Sequence, residues 1–179
     1  MKAPISSPRL TPNVMILAHA ATSYTLGRHA EADLLQRLNA QYGIPLATAF
    51  GSVVAALKVL GARRVALGAP YSEDMTLKGK ALLEEYGFDV VSHGGLENVT
   101  NIYDETPERA YQLGRAVDTP DAQAILLSGT GMPTCSILET LEQDLGKPAI
   151  STSSAMMWQA LRLAGVRQCL PGYGRLFAQ

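Results

Sequence analysis

The sequence predicts a layered α/β fold with parallel strands, and three observations carry that prediction. Short apolar runs alternate with amphipathic stretches of helical length along nearly the whole chain. Most helical stretches stop at a glycine and several open on Ser or Thr, which marks them as separate units. The composition is globular: 179 residues, 47% hydrophobic and 17% charged with a net charge of −1, enough for one domain or two small lobes with a sizeable core.

Taken in order, Val14–Ala18 reads as a buried strand. Arg28–Tyr42 is a helix on Ala30, Leu34, Leu35, Leu38 and Tyr42, with Gly43 as its C-cap. Pro45–Thr48 is a short strand, and Ser52–Leu60 an apolar helix ending at Gly61. Val65–Gly68 and Phe88–Ser92 are strands flanking a helix, Glu73–Tyr86, that stops at Gly87. Thr106 caps a helix that has Pro107 at its first position and runs to about Val117. Strands at Ala124–Leu127 and Ala149–Ser151 alternate with helices at Thr134–Leu145 and Ser154–Ala164. That alternation implies parallel βαβ units.

The same composition excludes several function classes. A near-neutral charge gives no basic stripe for nucleic acid. No apolar run reaches the roughly 18 residues of a membrane span. Residues 1–12 lack the apolar segment of a leader peptide. Cys135 and Cys169 form neither a disulfide framework nor a metal-binding pair, and His19, His29 and His93 are too scattered for a metal site. A soluble cytoplasmic protein without metal is the expectation.

An internal repeat organises the chain. An apolar strand ending in Ala21-Thr22-Ser23 leads through a helix to Tyr42-Gly43-Ile44-Pro45, Ala47-Thr48, Gly51-Ser52 and then Ala56 to Arg63. A second strand ending in Ser128-Gly129-Thr130 leads to Leu145-Gly146-Lys147-Pro148, Ile150-Ser151-Thr152, Ser153-Ser154 and then Ala160 to Arg167. The duplication suggests two Rossmann-like or flavodoxin-like lobes related by a pseudo-twofold axis. We place them at residues 1–64 and 65–166, with a tail, 167–179, packing back on the N-terminal lobe. Ligands of open α/β sheets bind at the carboxyl ends of strands. One site between the lobes is therefore expected, lined by Thr22, Ser23, Ser128 and Thr130; the plainer reading makes each a helix cap. Neutral donors at helix starts suit a small carboxylate or a developing enolate better than a polyphosphate.

These pieces resemble the Asp/Glu racemase superfamily, in the branch of arylmalonate decarboxylases and maleate cis–trans isomerases. The matching residues are Ala21-Thr22-Ser23, Ala69-Pro70-Tyr71, Leu127 to Thr130, Gly146-Lys147-Pro148, Ser151-Thr152-Ser153, Trp158, Leu161 to Gly165 and Pro171 to Phe177. The resemblance implies a cofactor-independent enzyme that decarboxylates or isomerises a small mono- or dicarboxylate through an enolate-like intermediate. It also implies that Thr22, Ser23, Tyr71, Ser128, Gly129 and Thr130 bind that substrate. The family's two cysteine positions are Ala21 and Gly129 here, and neither residue can replace a thiolate. The first lobe also resembles that of the family with an initial strand–helix section missing, so a homo-oligomer that covers the shortened sheet is expected.

Two side chains remain as proton carriers. Cys135 would gain acidity from the start of the helix that follows Thr134, or would simply pack beneath it. His19 would share one strand face with residues 21 and 23, or would be a satisfied core or interface histidine. Tyr71 is either a donor aimed at the cleft or a half-buried aromatic. Glu73 and Asp74 complement a helix dipole, and Met156, Met157 and Trp158 are core or cleft wall. The alternative to an enzyme is a carboxylate-binding protein that keeps the cradle and has lost the chemistry.

Overall fold

A computed structural model describes residues 12–179. Two parallel sheets organise it. The smaller pairs β1 (Met15–Leu17) with β2 (Leu46–Thr48), and the larger has the order β4-β3-β5-β6, with β3 (Arg64–Ala69), β4 (Asp89–Gly95), β5 (Ala124–Leu127) and β6 (Ala149–Ser151). The helices are α1 (Ala20–Tyr42), α2 (Ala49–Val59), α3 (Glu73–Glu85), α4 (Pro107–Val117), α5 (Leu138–Leu145) and α6 (Thr152–Leu163).

Strand alternation sets the layers of the larger sheet. Val65, Leu67, Ala124, Leu126 and Ile150 point into one core with α2, α3 and α6. Ala66, Ile125, Leu127 and Ala149 point into a second core with α4 and α5. Both faces are thus covered, as a parallel sheet requires. Helices α2 and α6, the matched helices of the repeat, pack directly on each other.

Local chemistry explains the boundaries. The Thr48 hydroxyl accepts from the Gly51 N–H at 2.8 Å, and a Cβ on Gly51 would lie 2.9 Å from that same oxygen. The small residue at this helix start is therefore a steric requirement. In the second lobe Ser151 and Ser154 cap α6 reciprocally, so this helix starts two residues before the expected Ser154. Gly43 and Gly146 close α1 and α5 in the left-handed region, at φ 65° and 69°.

Two expectations need correction. His19 is not on a strand: β1 ends at Leu17, and His19 is the N-cap of α1. Residues 19, 21 and 23 therefore share no strand face. The helix starts eight residues before the expected Arg28, and Gly27 (φ 72°, ψ 170°) breaks it into 20–26 and 28–42. Gly27 is thus a break inside the helix and not its boundary. The second correction concerns α5, which starts at Leu138 and leaves Cys135 in the preceding turn.

Residues 167–179 lie along α5 and α6. The Arg175 N–H donates to Glu142 and the Arg162 guanidinium to the Gln179 carbonyl, while Leu176 and Phe177 enter the core that holds α2.

Candidate active site

The carboxyl ends of β1 and β2 open on a cavity of about 230 Å³. Its walls include His19, Thr22, Ser23, Glu31 and Thr48, with Leu17, Leu26 and Leu34 supplying apolar surface. The His19 Nδ1 lies 2.7 Å from the Thr22 Oγ1. If Nδ1 carries the proton and donates it to Thr22, then Nε2 is a free base and the Thr22 hydroxyl hydrogen is available to a ligand. The N–H groups of the first turn of α1 have no partner within the helix and make this end electropositive.

Ser23 is differently employed. It is buried, and its hydroxyl donates to the Glu31 Oε1 at 2.5 Å across the break at Gly27. Glu31 is only 2% exposed, and its second oxygen accepts from the Tyr86 hydroxyl at 3.3 Å. Arg28 covers the Tyr86 ring at 5.0 Å and donates to the Glu85 carbonyl, which fixes the start of 28–42 against the end of α3. Burial, and next the adjacent Glu31, push the Tyr86 phenol above its ordinary range.

The remaining candidates lie elsewhere. The Ser128 Oγ is 2.5 Å from the hydroxyl of buried Tyr24, a bond that joins the start of α1 to the turn after β5. The Tyr24 ring packs edge-on to Phe50 and Tyr71 and lies over Gly79, where a Cβ would approach it to 2.8 Å. Burial pushes the Tyr24 phenol well up. Tyr71 lines a separate cavity of about 400 Å³ together with His93, and its phenol too is raised by burial. The Thr130 carbonyl accepts from the Ser153 hydroxyl at 3.2 Å. The structure thus unites His19, Thr22 and Ser23 in one cavity and leaves Tyr71, Ser128 and Thr130 outside it.

The two family cysteine positions have different surroundings. Ala21 is half-buried in the first turn of α1. Gly129 sits at φ 104°, where a Cβ would lie 2.8 Å from the Pro70 Cγ and 3.1 Å from the Ile102 Cδ1. Both the backbone and the packing oppose a side chain there. The chain's own thiols are peripheral. Cys135 is exposed overall, yet burial of its thiol pushes it up, more strongly than the bond with Thr134 draws it down. The helix start that was expected to lower it lies three residues further on. Cys169 is also exposed, and its Sγ is 3.7 Å from the Ala178 carbonyl.

The sequence reading missed Tyr24 and Glu31. Glu31 carries a readable signal, because it falls three residues before Leu34 on the apolar stripe of α1 and so faces inward. Tyr24 carries none, since its bond to Ser128 spans 104 residues. Among the described residues, no group of three or more His, Cys, Asp or Glu is placed to hold a metal, and no helix is long and apolar enough to cross a membrane.

A doubly covered parallel sheet beside a smaller one, with repeat-related helices packed together and a cavity at the strand ends, defines a two-lobed α/β protein, the architecture that the resemblance to the Asp/Glu racemase superfamily implies. The comparisons with known proteins are more particular. The arylmalonate decarboxylase family model matches residues 11–177. An arylmalonate decarboxylase of Bordetella bronchiseptica is 33% identical over 171 residues, covering 92% of this chain and 70% of its own. A maleate isomerase of Nocardia farcinica is 32% identical over 132 residues, 72% of this chain and 53% of its own. A crystal structure of arylmalonate decarboxylase superposes with a TM-score of 0.87 at 31% identity, covering 93% of this chain and 75% of that one. The Nocardia farcinica maleate cis–trans isomerase bound to TRIS gives 0.88 at 26%, covering 93% and 71%. The chain belongs to the arylmalonate decarboxylase family, and it spans between about half and 70% of these two curated relatives.

Proposed function

We propose that the chain moves a proton at the carbon beside a small carboxylate, without a cofactor, by isomerisation or decarboxylation through an enolate-like intermediate. One observation carries the reading: a single cavity holds a histidine, a hydroxyl and the start of a helix. The substrate carboxylate sits on the first-turn N–H groups of α1 and on the Thr22 hydroxyl. In isomerisation the His19 Nε2 removes the proton from the neighbouring carbon. In decarboxylation the bond from that carbon to a second carboxylate breaks instead, carbon dioxide leaves and a protonated His19 supplies the hydrogen. In either case the electron pair of the broken bond passes into the carboxylate held at α1. The helix start stabilises the charge that develops there. The proton then returns from the imidazolium to carbon. Thr22 orients the ring as it holds Nδ1.

The expected result is exchange of the α-hydrogen of a small carboxylate for deuterium, followed by NMR in heavy water. His19→Ala should slow this at least about 100-fold, the usual contribution of a general base, while carboxylate binding persists. Unchanged exchange in His19→Ala would remove His19 from the mechanism. A second reading, a carboxylate-binding protein without chemistry, is favoured by the backbone and packing that oppose a side chain at Gly129. It predicts binding of the same carboxylates with no exchange at all.

A further inference from the structure

A further cavity, of about 500 Å³, opens where the ends of α2 and α6 meet the tail. Its walls are Val59, Trp158, Arg162, Arg167, Cys169 and Gln179, none of which lines the cavity that holds His19. Helix α2 begins after Thr48, in the wall of the His19 cavity, and ends at Val59, in the wall of this one. A helix of that length spans about 16 Å, so the two cavities are distinct.

Trp158 is 7% exposed, and its indole N–H has no acceptor among the described residues. A buried donor without a partner is costly and rare in a native chain, so one at a cavity wall points to an acceptor from outside. The Arg162 guanidinium lies over the Trp158 ring at 5.6 Å and donates to the Val166 and Gln179 carbonyls at 2.8 and 2.6 Å. These contacts hold its charge at the wall. None of the ion pairs among the described residues includes Arg162 or Arg167. Two positive charges and an unpartnered donor therefore share one cavity with the exposed apolar surface of Val59.

We infer that this cavity binds a small organic anion, a carboxylate or phosphate joined to an apolar group. The anionic oxygens are held by Arg167 and Arg162, because a guanidinium presents its N–H groups in a planar fork that suits either oxyanion. The Trp158 N–H supplies one more donor. The apolar part of the ligand covers Val59 and the remaining surface of Trp158, and the volume lies within the ordinary range for small-molecule sites. The inference is independent of the function proposed above, since it uses no residue of the His19 cavity.

Trp158 is the one tryptophan of the chain, so its single indole N–H resonance reports on this cavity. The test follows that resonance by NMR during titration with benzoate, with phenyl phosphate and with neutral benzyl alcohol. At least one of the two anions should move it saturably, and benzyl alcohol should bind at least about 10-fold more weakly. Arg167→Gln, a change at an exposed side chain, should weaken anion binding at least about 3-fold. His19→Ala should leave the indole response as in the wild type. The absence of a saturable shift with either anion overturns the inference, and so does equal binding of benzyl alcohol or an unchanged affinity in Arg167→Gln. Loss of the indole response in His19→Ala overturns it too, because the anion would then occupy the other cavity.

Discussion

At the scale of single residues, the structure assigns definite costs. Gly129→Cys would restore a thiol at a family position, but the left-handed backbone and the Pro70 ring oppose it. It should destabilise the chain by about 1–3 kcal/mol, the usual cost of such backbone strain, measured by urea denaturation. A variant as stable as the wild type would show that the turn can reopen. Tyr24→Phe leaves the buried Ser128 hydroxyl without its partner and should cost about 1–3 kcal/mol at neutral pH. The buried phenols also fix a pH dependence. Tyr24, Tyr71 and Tyr86 all titrate above the ordinary 10.0 in the folded chain. Their contribution to stability is full below pH 10 and is lost as pH rises toward their folded values, because the unfolded chain ionises first. The melting temperature should therefore fall above about pH 10, and Tyr24→Phe should blunt that fall.

At the scale of elements, the most local features were the most legible. The cap at Thr106 with Pro107 behind it, the αL glycines Gly43 and Gly146, and the buried strand Ala124–Leu127 all follow from short-range chemistry. The start of α1 did not, because Gly27 resembles a boundary and the residues before it are small and hydroxyl-bearing. What holds 20–26 in place is tertiary: Ser23 to Glu31, and Tyr24 to Ser128. The same limit hid the separation of Tyr71, Ser128 and Thr130 from the cavity that holds Thr22 and Ser23, since strand order alone does not say which way a hydroxyl turns. Glu142 offers a test at this scale. Its two oxygens accept the N–H groups of Ala149, at the start of β6, and of Arg175, in the tail. Glu142→Ala orphans both donors and should cost about 2–4 kcal/mol. Amide exchange should accelerate first at Arg175 and its neighbours in the tail; uniform acceleration would mean that the tail is held by its apolar residues alone.

At the scale of the whole molecule, the two lobes differ in how well they bury their strands. β5 and β6 are fully buried, whereas β1 is half-buried to exposed and among the described residues pairs only with β2. A homo-oligomer remains the proposed cover, and sedimentation at rising concentration should show association; a single concentration-independent monomer would dismiss it. Placing the chemistry at the carboxyl ends of β1 and β2 also takes it away from both cysteines, neither of which lines that cavity. Alkylation with iodoacetamide should accordingly leave α-hydrogen exchange unchanged, and its loss would bring a thiol back into the mechanism.

That distance from sulfur has a wider consequence. A catalytic thiolate is nucleophilic and for that reason also open to oxidation by peroxide. The present chain keeps its two thiols outside the cavity, with Cys135 raised toward its unreactive protonated form. On the mechanism proposed above, turnover should therefore survive peroxide that inactivates an enzyme working through a thiolate, because residues 21 and 129 carry no sulfur.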